Sequence, residues 1–267
     1  MAALLAPLTI GRYRNDLRVF TTVRAGVLLI AFLNVGAPLS YLVVSTNAAL
    51  VDTTLAAWDC ALGFDWLVLH AWLQSHPYVQ ITLHLAYLSS GLQMIIVVVF
   101  LGFSARPARL EEFLCLFILA TLLVILASGP FPAAGAWKHY EIGKAFDLSS
   151  LSHFELLRNG RMREISIDQT QGLVSIPSLH AAVAVLLVYA VRGTILLPAF
   201  FVINIAMLAS TPVDGGHYLV DVVAGVALAF GLIALSRMRS SHQKEAAHTC
   251  LNSTGRCNTL LLQPDEV

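Results

Sequence analysis

The chain alternates between long apolar stretches and shorter polar ones. Six stretches, roughly 25–45, 78–103, 112–130, 174–192, 194–211 and 217–236, are almost wholly apolar. They match the ~17–25 residues that a helix needs to cross about 30 Å of hydrocarbon. Helix is the fitting conformation because lipid offers no partner to an open backbone N–H or C=O. The pattern predicts an all-α fold, a polytopic membrane bundle with six transmembrane helices. No internal repeat of helical-array length is visible, so residues 1–240 read as one domain.

The segments between the spans carry their own signals. Residues 46–77 mix Trp58, Trp66 and Trp72 with Leu, Ala and scattered polar residues. Two short helices lying in the membrane interface fit this best, with the indoles at headgroup level. Within 151–167, Asn159-Gly160 stands between short mixed runs and predicts a small β-hairpin as part of an outer cap. Residues 241–267 have no lasting periodicity and read as a disordered tail.

Composition strengthens the membrane reading. Hydrophobic residues make up 57% of the 267 positions, charged residues 12%, and mean hydropathy is +0.75. A water-soluble domain needs a larger polar share to cover its surface. The zero net charge gives no footprint for nucleic acid. Cys60, Cys115, Cys250 and Cys257 form no C-x-x-C pair, which speaks against a disulfide framework or a zinc site. At the N-terminus the charges follow a short apolar stretch, the reverse of a signal peptide, so the start is expected to be retained.

Basic residues set an expected orientation. Arg12, Arg14, Arg18 and Arg24 precede the first span, Arg106 and Arg109 follow the second, Arg192 the fourth, and Arg237, Arg239 and Lys244 the sixth. With six crossings these fall on one side, the cytoplasmic one, together with both termini. Residues 46–77 on the other side carry Asp52, Asp59 and Asp65 but no Lys or Arg. The loop 131–173 departs from the pattern with Lys138, Lys144, Arg158, Arg161 and Arg163.

Two short strings carry candidate chemistry. One is Ser175-Ile176-Pro177-Ser178-Leu179-His180, opening the fourth span. The other runs from Ser210 through Gly215-Gly216-His217-Tyr218 to Asp221, opening the sixth. In this topology both face the non-cytoplasmic side. Pro177 suits a first helical turn. Ser178 and His180 then sit where free N–H groups and the positive helix end attract an anion. His217 and Asp221, four apart, share a helix face, so the carboxylate can hold one imidazole nitrogen and leave the other as a nucleophile. Gly215 and Gly216 leave room for a phosphate near the backbone. An ionisable Asp221 about one turn inside the bilayer is functional by default. His70, His76, His84, His139 and His153 read as ordinary interfacial residues.

Together these strings resemble the second and third signatures of the type-2 phosphatidic acid phosphatase superfamily. Pro177-Ser178-Leu179-His180 is similar to its P-S-x-H signature, and Ser210, His217 and Asp221 match the spacing of S-R-x5-H-x3-D. The branch containing inositol-phosphorylceramide synthase is closer, through P-S-L-H and H-Y-x-x-D-x-x-A-G, here His217, Tyr218, Asp221, Ala224 and Gly225. The resemblance implies His217 as the nucleophile taking the phosphoryl group, Asp221 orienting it, and His180 as acid then base. Ser178 and the Gly216 N–H would bind phosphate oxygens. Thr211 stands where the family has Arg, and the first signature, K-x6-R-P, is absent. Lys138, in a turn that resembles the P-x-x-G of the inositol-phosphotransferase branch, is the favoured replacement cation, with Lys144, Arg158, Arg161 and Arg163 as alternatives.

The resemblance thus implies a membrane phosphohydrolase or phosphotransferase acting on lipid phosphates or phospholipid headgroups through a phosphohistidine. Water or an alcohol would be the acceptor, with neither metal nor cofactor. Two other classes fit six spans. A transporter or channel would gather polar residues near the bilayer midplane, whereas here they collect at one interface. An inactive scaffold would account for the missing Arg.

Overall fold

The computed structural model describes residues 16–104, 106–142, 149–162, 164–165 and 172–260. Among them there are eleven helices and no strand. In chain order these are α1 (Leu17–Val44), α2 (Asp52–Ala61), α3 (Trp66–Gln74), α4 (Pro77–Leu88), α5 (Ser90–Phe103) and α6 (Pro107–Ser128). There follow α7 (Ala136–His139), α8 (Ser149–Arg158), α9 (Leu179–Ala190), α10 (Leu197–Asp214) and α11 (Leu219–Leu260). The chain falls into two units, Met1–Ala229 and Phe230–Val267. The first contains the whole of the site described below. In the second, α11 continues through residues 241–260, where composition alone showed no lasting periodicity.

Four helices are long and apolar enough to cross a membrane: α1, α6, α10 and the Leu219–Arg239 part of α11. The pair α4 and α5, bent by 44° at Ser89, makes a fifth if counted as one span. The expected fourth span is the exception. α9 has 12 residues and rises only about 18 Å. The polar string before Leu179 stays non-helical, and the chain turns again at Gly193, whose φ is +63°. Where the pattern predicts six full-length spans, the described residues give four or five helices of full span plus one short apolar helix, α9.

The hairpin expectation also fails. Asn159-Gly160 ends α8: the N–H groups of Arg161 and Met162 both return to the Leu156 carbonyl, and Gly160 takes φ +64°. This is the left-handed helix stop that glycine favours. The same dipeptide serves hairpin turns, and only the preceding ten residues decide between the two. Residues 46–77 do form two short helices, α2 and α3, separated by a turn at Gly63.

Local chemistry explains most helix ends. Asp16 caps α1 by accepting the Arg18 N–H at 2.9 Å, so the helix starts eight residues before the apolar stretch. Pro77 and Pro107 occupy first turns, where a missing N–H costs nothing. α9 is the central helix. Its buried residues include Ala181, Ala182, Val183, Ala184, Leu186 and Leu187, and it packs against α10, α6 and α5. A helix apolar all round belongs in such an interior. α1 packs on α6 and α5, and α10 on α4. At the α4–α5 break, Asn204 donates to Gln93 at 2.6 Å and Gln93 donates to the Ser89 hydroxyl at 2.9 Å. That buried polar chain ties the bend to α10.

Candidate active site

The starts of α9 and α11 meet. The Ser178 N–H donates to the Asp221 carbonyl at 3.0 Å, and Gly225 lies directly against the Ser178 carbonyl. His180 and His217 consequently line one cavity of about 350 Å³. Its other walls come from mid-α1 (Phe32, Leu33, Gly36, Ala37), from Val124 and Ile125 of α6, and from the loops at 133–137 and 172–175. Apolar side chains of α1 and α6 thus share the lining with the two imidazoles, Ser40 and Thr121.

Asp221 is fully buried behind His217. Its Oδ2 faces the His217 Nδ1 at 3.4 Å, a long contact, and accepts the Ser175 hydroxyl at 3.0 Å and the Tyr218 N–H at 3.1 Å. With Nδ1 turned to the carboxylate, Nε2 is the nitrogen left for chemistry. Its Oδ1 has no hydrogen-bond partner among the described residues. On the other imidazole, Tyr87 stacks with ring centroids 4.2 Å apart at 22°, its hydroxyl 3.2 Å from the His180 Nδ1. Stacking fixes the plane of that ring.

The glycines before His217 line the cavity and also shape the turn. A β-carbon on Gly215 would stand 2.7 Å from the His217 ring and 2.8 Å from the Thr211 carbonyl. Gly215 therefore makes room for the histidine itself. Gly216, at φ +64°, turns its carbonyl to the Ala136 N–H at 2.7 Å, and its own N–H faces the Val213 carbonyl at 3.4 Å. Gly135, at φ +94°, allows that approach, since a β-carbon there would meet the Gly216 carbonyl at 2.9 Å.

Of the six residues singled out from sequence, His180, His217 and Gly216 line the cavity, and Asp221 supports His217. The other two sit elsewhere. Ser178 is fully buried and its hydroxyl caps α9, accepting the Ala181 N–H at 3.4 Å. Lys138 pairs with Glu155 and lies over the Phe154 ring, and burial lowers its pKa from the ordinary lysine value. Arg158 reaches the Ala48 carbonyl and flanks the same ring. Phe154 itself lines the cavity, so both cations stand one side chain behind its wall. Arg161 is exposed; Lys144 and Arg163 lie outside the described residues. Among the described residues no three His, Cys, Asp or Glu side chains group as a metal-ligand set.

Four residues with contacts here were not singled out as site residues: Ser175, Tyr87, Asp52 and Asp59. Ser175 belongs to the string that precedes α9, and its place beside Pro177 and Ser178 is the available signal. The others approach from distant segments and leave no local signature.

Comparison with curated proteins and with solved structures gave no match. A family model described as PAP2 superfamily matches residues 53–235, which include both histidines, Asp221 and the glycine turn. The chain therefore belongs to the PAP2 superfamily.

Proposed function

We propose that this protein is a membrane phosphohydrolase or phosphotransferase that moves the phosphoryl-bearing group of a lipid through His217. Membership of a superfamily of phosphatases and phosphotransferases supports the class of reaction. The observation that carries the reading is the pairing of His180 and His217 across one cavity, with Asp221 behind His217. The apolar lining, from Phe32 to Ile125, suits a lipid tail entering beside α1 and α6.

In the first half-reaction the His217 Nε2 attacks phosphorus, the bond from phosphorus to the leaving oxygen breaks, and His180 gives that oxygen a proton. In the second, His180 takes a proton from water or an alcohol, whose oxygen attacks phosphorus as the P–N bond breaks. One histidine thus serves as acid and then base, and the covalent intermediate divides the displacement into two steps. Asp221 stabilises the positive charge on the His217 ring, with Ser175 and the Tyr218 N–H holding the carboxylate in place. Positive charge for the phosphate comes from the Lys138–Arg158 side and from the start of α9. The site faces the non-cytoplasmic side, with both termini cytoplasmic, on the strength of the basic residues flanking the spans.

The test supplies phosphorylated lipid in vesicles, with and without an alcohol acceptor, and follows free phosphate and new lipid. Turnover should be inhibited by vanadate and absent in His217→Ala that is still folded. Undiminished turnover in that variant would remove the nucleophile. Release of phosphate without new lipid assigns hydrolysis, and a new phospholipid that depends on the acceptor assigns the inositol-phosphorylceramide-synthase-like reaction.

A further inference from the structure

α2 carries two buried carboxylates, Asp52 and Asp59, seven residues apart and so on one helix face two turns from each other. Both reach into the catalytic turn. Asp59 accepts the N–H groups of Leu219 and Val220 at 2.8 and 2.9 Å, occupying the free donors at the start of α11. Asp52 accepts the Tyr218 hydroxyl at 2.9 Å and the N–H groups of Ala134 and Gly135, each at 2.9 Å. Ala136, next in that loop, holds the Gly216 carbonyl.

We propose that Asp52 and Asp59 are positioning residues, a two-carboxylate clamp on α2 that fixes the His217 turn from both sides. Gly216 before the histidine is held through the loop that Asp52 anchors. Tyr218 after it is held by Asp52, and Leu219 and Val220 by Asp59. The His217 ring bonds Asp221 through Nδ1, and the backbone placement of the turn depends on these neighbours. Burial raises the pKa of Asp59 while the two amide donors oppose that rise. Backbone donors at or beside helix starts, together with the Tyr218 hydroxyl at Asp52, compensate the burial of both groups. Charge-assisted bonds of this kind are among the stronger ones available.

The clamp rests on the assignment of His217 as nucleophile, and one experiment separates the two. The full-length protein is assayed in vesicles of a phosphorylated lipid as wild type, His217→Ala, Asp59→Asn, Asp59→Glu and Tyr218→Phe. Rates are expressed per folded molecule, from a thermal melt of each preparation. Asp59→Asn keeps the size but loses one acceptor, and its kcat should fall on the order of 100-fold, the cost of about 1 Å of misplacement. KM should change by less than about threefold, because substrate contacts remain. Asp59→Glu, which keeps the charge, should recover part of kcat. Tyr218→Phe removes one bond to Asp52 without disturbing packing, and should lower kcat by roughly 10-fold at unchanged KM; it decides the matter if the Asp59 variants do not fold. Wild-type kcat per folded molecule in Tyr218→Phe, or in a folded Asp59→Asn, with His217→Ala inactive, overturns the clamp alone. An active His217→Ala overturns the nucleophile instead.

Discussion

Gly225 of α11 packs so closely on Ser178 that a β-carbon would lie 2.2 Å from the Ser178 carbonyl oxygen. This main-chain contact is what brings the two histidine-bearing helix starts to one cavity. The obstructing atom is backbone, so it cannot turn aside. Gly225→Ala should therefore cost about 1–3 kcal/mol of stability and remove most activity. A melting temperature and turnover equal to wild type would mean that the two helix starts are not held this tightly.

His180→Ala should lower kcat by about 100- to 10,000-fold, the range of a single acid–base group. A substrate whose leaving group needs no proton, such as a nitrophenyl phosphate ester, should lose much less in its first step. Comparing burst and steady-state rates on the two substrates checks this. Equal losses would indicate that His180 does not protonate the leaving oxygen.

Ser175→Ala leaves Asp221 Oδ2 with two contacts, His217 and the Tyr218 N–H. One hydrogen bond to a charged group contributes about 1.5–3 kcal/mol, so kcat should fall roughly 10- to 100-fold with KM little changed. A raised KM with normal kcat would place Ser175 on the substrate rather than on the carboxylate.

Gly36→Leu tests the apolar lining of the cavity. The nearest atoms to a β-carbon there are side-chain atoms of Phe32 and Ile125 at 3.8–4.0 Å, so a larger residue fits the helix and fills the space. KM for a long-chain lipid phosphate should rise, while a short-chain ester should react as before. A parallel change for both substrates would show that lipid tails do not use this wall.

The buried Gln93–Asn204 pair lends itself to a double-mutant cycle. Gln93→Leu alone removes the partner that accepts from Asn204 and should cost about 1–3 kcal/mol, whereas Gln93→Leu with Asn204→Leu should be closer to neutral. Melting curves in detergent measure both.

Apolar length makes the membrane bundle legible, and the His217–Asp221 pair is readable from a spacing of four, although His217 stands in the non-helical turn before α11 and does not share a helix face with Asp221. What sequence obscured was of two kinds. Gly160 has more than one structural use, so a helix stop reads as a hairpin, and the apolar length of 174–192 reads as a full span where the helix has 12 residues. Ser178 and Lys138 have chemistry that suits phosphate, but a hydroxyl at a helix start also suits a cap and a lysine beside Glu155 also suits an ion pair. Asp52 lies 166 residues from the Tyr218 hydroxyl it accepts, and no local pattern can report a contact at that separation.

Trp58 of α2 and Leu62 at its end are both more than half exposed, while Asp52 and Asp59 of the same helix are buried. Exposed indole and leucine suit the depth of lipid headgroups. On the proposed reading α2 would act as a lever, its exposed side chains at the membrane interface and its carboxylates on the backbone beside His217. Lipid packing and lateral pressure would then enter the turnover rate as physical variables, and the proposed reaction should run at different speeds in loosely and tightly packed membranes.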